Sequence, residues 1–441
     1  MLLLAMLAGA ALLLALAGRG SEFVSNVAAL GCGTLLAASI ADFFWSRRLW
    51  RGALPTLTRR IPVSLAVGER SGVELTIRNP ADRTWRMQLF DYTDSSLATS
   101  GLPVSLALLP GSETTCRYDV YPQWRGDVSF SQARVRVRSI ARLCEMSTEL
   151  GVRDTRRVFP NLSVLLRYAW LAGNQRLAEL GIKTLQQRGI GTDFKQLAEY
   201  QPGDPVRHID WKASARLQKP ILRQFQDERD QRVMFLIDCG RRMRADDRNG
   251  VAGSSHFDQV LNAVMLLAYV ALKRGDAVGA MTFGTPEGKE RLIAPRKGRD
   301  TLDGLMSRLY DLQPTVTHSD YLMAAQTFLA RFGKRALVIV ITNFRDEDGA
   351  ELGDALKLLR SRHLVLLASI QETVVRELIS QPMEQPESMI EIASAHLFEQ
   401  SRRAAFQRLA ARDSLMLDVE PRQLAVALVN RYNAVKKAGL L

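Results

Sequence analysis

The sequence predicts a doubly wound α/β domain preceded by a small β-sandwich and an N-terminal transmembrane helical hairpin. Three observations carry this reading. Apolar strand-like runs alternate with helix-period segments from residue 233 onward. Short alternating runs separated by turn residues fill residues 60–158. Two apolar stretches stand within the first 46 residues. At 441 residues the chain exceeds one small domain, and 47% hydrophobic with 24% charged residues excludes wholesale disorder.

Leu2 to Ala17 holds sixteen residues without a charge, and a second run from Val27 to Trp45 is interrupted only by small residues and Asp42. Both approach the ~20 residues needed to cross a bilayer core, and Gly31, Gly33, Ala37 and Ala38 allow close helix approach. A cleaved signal peptide competes, because Ala15-Leu16-Ala17 fits a small-residue cleavage site, but no Lys or Arg precedes the apolar run. Arg47, Arg48, Arg51, Arg59 and Arg60 follow the second stretch, against Arg19 and Glu22 between the two. The positive-inside rule then places everything beyond residue 46 in the cytoplasm. The expectation is a multi-pass protein of the inner (cytoplasmic) membrane with cytoplasmic soluble domains.

Ile61 to Val67, Val73 to Arg78, Met87 to Asp91, Val104 to Leu109, Cys116 to Tyr121 and Ala133 to Arg138 read as strands of the sandwich. Arg134-Val-Arg-Val-Arg138 places three guanidinium groups on one strand face, a solvated face or a basic strip toward lipid headgroups. The four cysteines, Cys32, Cys116, Cys144 and Cys239, are scattered, which suggests neither a zinc site nor a disulfide framework.

Residues 159–232 read as a polar connector. Leu165 to Gln187 has helical character and ends at Gly189-Ile190-Gly191. The densest signature of the chain follows, from Lys195 and Glu199 through Tyr200, Gly203, Asp204, Arg207, Asp210, Trp211 and Lys212 to Arg216. Asp204, Arg207, Asp210, Lys212 and Arg216 are expected to interlock as ion pairs around Trp211 as an apolar anchor. His208 and Asp210 could serve instead as general-base components, but no activated Ser or Cys accompanies them.

This pattern, Lys-x-x-x-Glu-Tyr-x-Pro-Gly-Asp-x-x-Arg-x-Ile-Asp-Trp-Lys-x-Ser-Ala-Arg, resembles the hallmark of the domain of unknown function 58 family. The resemblance extends over essentially the whole chain. It implies a bacterial membrane protein encoded beside a MoxR-type AAA+ ATPase, with that ATPase as partner.

In the α/β part (233–441), Val233 to Asp238, Val278 to Phe283, Ala336 to Thr342, Leu364 to Ile370 and Leu415 to Val419 read as strands. The segments 257–273, 301–312, 321–332, 350–360, 388–411 and 421–437 read as helices. Order and spacing resemble a von Willebrand A domain, whose metal site uses Asp-x-Ser-x-Ser, a later Thr and a later Asp. Here Asp238 is kept, Gly240 and Arg242 stand at the serine positions, Ser319 stands in for the threonine, and Asn343 takes the later carboxylate position. A hard divalent cation needs oxygen ligands in near-octahedral array, so no metal and no cofactor is expected. Arg242 either fills the metal position, paired with Asp238, or points to solvent.

No P-loop, dinucleotide fingerprint, H-E-x-x-H or G-x-S-x-G occurs, so the reading is a non-enzymatic binding or scaffold protein. Two alternatives remain open. The net charge of +13 admits a membrane-linked nucleic-acid or anionic-lipid binder, although aromatics are sparse among the basic clusters, which argues against nucleic acid. An uncharacterised hydrolase built on the hallmark is the other. Neither the client protein nor the oligomeric state is legible in the sequence.

Overall fold

The computed structural model describes residues 21–161, 193–201, 206, 209–226, 231–245, 255–380, 386–411 and 415–440. The chain divides into two compact units. The first takes in the residues up to Leu65, Glu69–Pro122 and Asp127–Arg157, and the second Ala66–Gly68, Gln123–Gly126 and everything from Val158.

Helix α1 (Ser21–Gly52) contains the stretch Ala29–Gly52, 24 residues of mean hydropathy 1.3, long and apolar enough to cross a membrane. It is the one such helix among the described residues, so the expected multi-pass arrangement is corrected to a single candidate span. The hairpin's other arm, Leu2 to Ala17, lies outside the described residues. The second half of α1 is committed to the first unit. Asp42 Oδ1 accepts the Ala141 N–H at 3.1 Å, and Ser46 Oγ accepts the Ile140 N–H at 3.0 Å. The Trp50 ring stands edge-on to Trp85 at 5.2 Å. Asp42, which interrupts the apolar run, therefore serves as a docking residue.

The sandwich-like unit holds two four-stranded antiparallel sheets. One runs β1 (Thr56–Arg60), β3 (Ser71–Arg78), β7 (Glu113–Pro122), β5 (Leu97–Ser100). The other runs β10 (Glu145–Leu150), β9 (Ala133–Arg138), β4 (Trp85–Phe90), β6 (Val104–Leu108). A three-stranded sheet joins β2 (Ser64–Ala66), β11 (Asp154–Phe159) and β8 (Gly126–Phe130). Period-2 alternation explains the faces: Val73, Leu75 and Ile77 of β3 and Val135 and Val137 of β9 are buried, while Arg134, Arg136 and Arg138 stand outward. Arg59, one of the cations flanking the apolar stretch, is drawn inside. It binds Asp91 through Nε at 3.0 Å and Nη2 at 2.5 Å, and donates to the Ser131 carbonyl at 2.6 Å. The Tyr118 hydroxyl completes the cluster by donating to Asp91 at 2.5 Å. A charge so buried is held because it is paired and fully hydrogen-bonded.

In the second unit, β12 (Asp193–Glu199) and β13 (Ile221–Gln226) form an antiparallel pair, with helix α2 (Trp211–Leu217) between them in sequence. The connector is thus partly a β-hairpin, hidden in the sequence by the charges it carries. A six-stranded sheet follows, built from β14 (Arg232–Asp238), β15 (Ala277–Phe283), β16 (Leu292–Arg296), β17 (Leu337–Thr342), β18 (Leu364–Ile370) and β19 (Met416–Val419). Its order is β16-β15-β14-β17-β18-β19, with every neighbouring pair parallel except β15–β16. Strand β16 escapes sequence reading because Pro295 breaks its pattern, and an edge strand tolerates that proline.

Helices cover both faces, which is why β14 is apolar at consecutive positions. Val233, Phe235 and Ile237 pack with α3 (His256–Lys273), α4 (Asp300–Leu309) and α9 (Leu424–Lys437). Met234 and Leu236 pack with α5 (Tyr321–Arg331), α6 (Gly349–Arg360) and Ala405 of α8 (Pro386–Ala410). The short helix α7 (Thr373–Ile379) follows β18. Chain order reverses at β14, so the carboxyl ends of β14 and β17 mark the topological switch point where such sheets bind ligands.

Candidate functional site

Asp238 is the last residue of β14 and is fully buried at that switch point. Three neutral donors saturate it. The Gly240 N–H donates to Oδ1 at 2.8 Å, the Ser319 hydroxyl to Oδ1 at 2.5 Å, and the Thr342 hydroxyl to Oδ2 at 2.6 Å. The Tyr321 hydroxyl lies 3.0 Å from the Thr342 hydroxyl and extends the chain of hydrogen bonds. The partners arrive from distant segments: Ser319 just ahead of α5, whose N-cap is Asp320, and Thr342 at the end of β17. Burial pushes the Asp238 carboxyl above the usual carboxylate range, with the hydroxyl and amide donors opposing.

The residues present do not fit a divalent cation. Gly240 brings no hydroxyl, and a Cβ there would stand 2.0 Å from Ser319 Oγ and 2.9 Å from the Thr317 carbonyl oxygen. Arg242, on the single turn Arg241–Arg244, neither pairs with Asp238 nor points free to solvent. Its Nη2 donates to Glu347 at 2.5 Å and its Nε lies 3.4 Å from Asp348, with the side chain 12% exposed. Asn343 donates through Nδ2 to the Arg242 carbonyl at 3.1 Å and to Glu372 at 2.9 Å, and Arg345 reaches the same Glu372 oxygen at 2.9 Å. Above the Asp238 cage lies a belt of alternating charges whose members hold one another. Its guanidinium groups, from Arg242 and Arg345, occupy the carboxylates of Glu347, Asp348 and Glu372 that would otherwise attract a cation.

The raised Asp238 value makes a testable pH signature. The folded protein holds the proton more tightly than the unfolded chain. Stability from this group is therefore full below the ordinary carboxylate pKa and is lost as pH rises through the higher folded value. In Asp238→Asn, the amide oxygen keeps Gly240 and Ser319, and its Nδ2 donates to Thr342, which turns toward Tyr321. We expect the variant's stability relative to the parent to increase with pH over that window and then level off. Urea melts of both proteins at a series of pH values read this directly; parallel curves would refute the assignment.

Of the hallmark residues, Gly203, Asp204, Arg207 and the neighbouring His208 lie outside the described residues. Among the others, Asp210 is the organiser. It is the N-cap of α2, with Oδ1 accepting the Lys212 N–H at 3.1 Å and the Ala213 N–H at 3.0 Å, while Oδ2 accepts Arg223 Nε at 2.8 Å. The Arg223 hydrogen bond, and then the capping amides, hold its carboxyl below the usual range. Ser214 Oγ accepts the Ile221 N–H at 2.8 Å and the Tyr200 N–H reaches the Pro220 carbonyl at 2.9 Å, tying α2 to the hairpin. The structure departs from the expected network: Trp211 is 71% exposed, Lys212 and Arg216 face outward, and Glu199 meets Lys219 at 3.5 Å. The physical reason is α2's brevity: with seven residues, none of them buried, it has no inner face to take a tryptophan.

Thr342, Tyr321 and Arg402 belong to this end of the sheet and escape sequence reading. Thr342 carries a signal, a lone hydroxyl closing the apolar run Leu337 to Ile341. Arg402 carries none, since nothing in its polar helix marks one arginine as buried.

Residues 196–415 match the family described as "Protein of unknown function DUF58". The chain is 24% identical over 239 residues to "Uncharacterized protein YeaD" of Bacillus subtilis (strain 168), a match covering 52% of this chain and 55% of that protein. It thus spans about half the length of the curated relative it matches. Among solved structures, a Salmonella alpha-2-macroglobulin variant is 19% identical over 24% of this chain and 7% of its own, TM-score 0.19. The CARDB domain of a Pyrococcus furiosus protein is 14% identical over 24% of this chain and 88% of its own, also at TM-score 0.19. Likenesses this slight carry no structural inference. Asp210, the caged Asp238 and strands β13 to β18 thus fall within one matched stretch: over residues 196–415 the chain carries a DUF58 domain.

Proposed function

We propose that this chain is a membrane-anchored, non-enzymatic binding or scaffold protein, held by helix α1, that serves as an accessory of a MoxR-type AAA+ ATPase. Its α/β region is read as a von Willebrand A-like domain with a degenerate metal site. The sheet order, the antiparallel edge strand β16 and the aspartate at the end of β14 support that reading, and the belt formed by Arg242, Asn343 and Glu347 replaces a metal's ligands with internal ion pairs.

The observation that carries the binding role is the state of the hallmark. Asp210 is committed to capping α2 and pairing Arg223, so it is not poised as a base, whereas Trp211 stands exposed beside Lys212 and Arg216. Exposed tryptophan with flanking cations is the composition of a binding hot spot. The test is binding of purified MoxR-type ATPase to the detergent-solubilised full chain. Trp211→Ala is expected to weaken the complex by about tenfold or more, with an unchanged melting temperature because the ring packs on nothing inside. Undiminished binding by the variant would move the docking surface away from the hallmark. Absence of binding by the parent protein would remove the partner altogether.

A further inference from the structure

The way α1 is docked fixes where a bilayer surface must fall and brings a second element to it. The helix is held from Ser39 onward: the Cys144 thiol donates to the Ser39 carbonyl at 3.4 Å, Ala141 and Ile140 bind Asp42 and Ser46, and Trp50 packs on Trp85. From Ser39 to Trp50 the helix rises about 17 Å at 1.5 Å per residue, all of it alongside protein. Those turns are not free to lie in hydrocarbon, so the membrane surface crosses α1 near Ser39 to Trp45. The part of the helix that enters lipid is the part before them.

At that level the β9–β10 turn, Ser139 to Cys144, sits against the helix. It is pinned there rather than loose, because the Ile140 and Ala141 amides bind helix side chains and the Ser139 hydroxyl accepts the Cys144 N–H at 3.0 Å. Its side chains face away from the core: Ile140 is 48% and Leu143 38% exposed, and the helix segment that the turn binds, Ser39 to Ser46, also carries the exposed Phe44 and Trp45. Arg142 adopts φ 61° in the turn, Arg138 ends β9 just ahead of it and meets Glu145 at 3.4 Å, and Arg47 and Arg48 follow Trp45 on the helix, all four exposed. Exposed apolar and aromatic side chains interspersed with exposed arginines are the composition of a membrane interface, where rings sit at headgroup depth and guanidinium groups meet phosphate.

We infer that the β9–β10 turn is a second membrane contact, inserting Ile140 and Leu143 at headgroup depth beside Phe44 and Trp45, with Arg142 and Arg138 on the phosphates of anionic phospholipid. Two contacts on one surface fix the tilt of the first unit against the bilayer, which a single helix cannot do. The inference rests on the reading of α1 as a membrane anchor, and the test separates the two. The photo-crosslinking residue benzoylphenylalanine is placed singly at positions 30, 143 and 152 of the full chain, in phosphatidylglycerol–phosphatidylcholine vesicles, and lipid adducts are read by mass spectrometry.

Leu30 and Val152 are 71% and 77% exposed, the first before the docked turns of α1 and the second beyond the far end of β10. Adducts at 30 and 143, none at 152, and loss of the 143 adduct in Arg138→Glu/Arg142→Glu are the expected results. An adduct at 30 with none at 143 overturns the inference and leaves the anchor standing. No adduct at 30 overturns the anchor and the inference with it. Equal adducts at 143 and 152 overturn a specific contact by the turn. Should the 143 variant fail to fold, position 140 takes its place with the same reading of outcomes.

Discussion

Arg402→Ala is expected to destabilise the second unit by about 3–5 kcal/mol, the range for breaking a buried ion pair from one side. Arg402 is 3% exposed, and its guanidinium makes five acceptor contacts at once. Its Nη1 and Nη2 fork onto Asp418 at 2.9 and 2.6 Å. Nη2 also reaches Ser369 Oγ at 2.9 Å and the Ile370 carbonyl at 3.1 Å, and Nε reaches the Phe344 carbonyl at 3.1 Å. One side chain from α8 thereby ties together the carboxyl ends of β17, β18 and β19. Truncation leaves Asp418 with only Gln371, whose Nε2 lies at 2.9 Å, and strands two carbonyls. Arg402→Lys is expected to recover little, because a point charge cannot reproduce the planar fork. Arg402→Met combined with Asp418→Leu is expected to cost less than Arg402→Ala, since it removes both charges together. Urea unfolding of the three variants checks this ordering; a double variant weaker than the single would show the pair to be a net stabiliser.

Gly240→Ser, which supplies the serine that the proposed von Willebrand A-like reading finds missing, is expected to destabilise by about 1–3 kcal/mol, the usual cost of overpacking, and to confer no magnesium affinity. The backbone is not the obstacle: φ −81° and ψ −173° suit any residue. Space is, because the new Cβ would fall 2.0 Å from Ser319 Oγ and displace the hydroxyl that serves Asp238. Adding Ser319→Ala is expected to return part of the loss, leaving the 2.9 Å approach to the Thr317 carbonyl. Arg242→Ser alone is likewise expected to gain no magnesium affinity, because Arg242 holds Glu347 and Asp348 rather than Asp238, and its removal leaves both Asp238 oxygens on their hydroxyl and amide donors. Thermal melts with and without magnesium decide. A metal-dependent rise in either single variant would mean the Asp238 cage opens more readily than its three short hydrogen bonds imply.

Residues that signal through periodicity were legible in the sequence. The strands and helices expected after residue 233 fall within a few residues of their places, and β9 shows its three arginines outward. Where charge interrupts periodicity the reading changes. The hallmark hides strands β12 and β13, and Trp211, expected as an anchor inside an ion-pair network, stands on the outside of a helix too short to bury it. The expected multi-pass membrane arrangement gives way, among the described residues, to one candidate span whose second half is docked on protein.

The sequence by itself determined the layered architecture, because an element's hydrophobic period is a local property that dictates which face it buries. It also showed which residues, Gly240, Arg242 and Asn343, stand where the resemblance to a von Willebrand A domain would expect metal ligands, since identity at a position needs no coordinates. Only the tertiary structure decided what each charge does. Asp238 is met by Ser319 and Thr342, 81 and 104 residues away, and Arg242 by Glu347 at a separation of 105. Arg59 turns inward to Asp91, and Asp42 grips a turn 99 residues on. Charges seek partners through space, and a buried charge is tolerable only where folding delivers them.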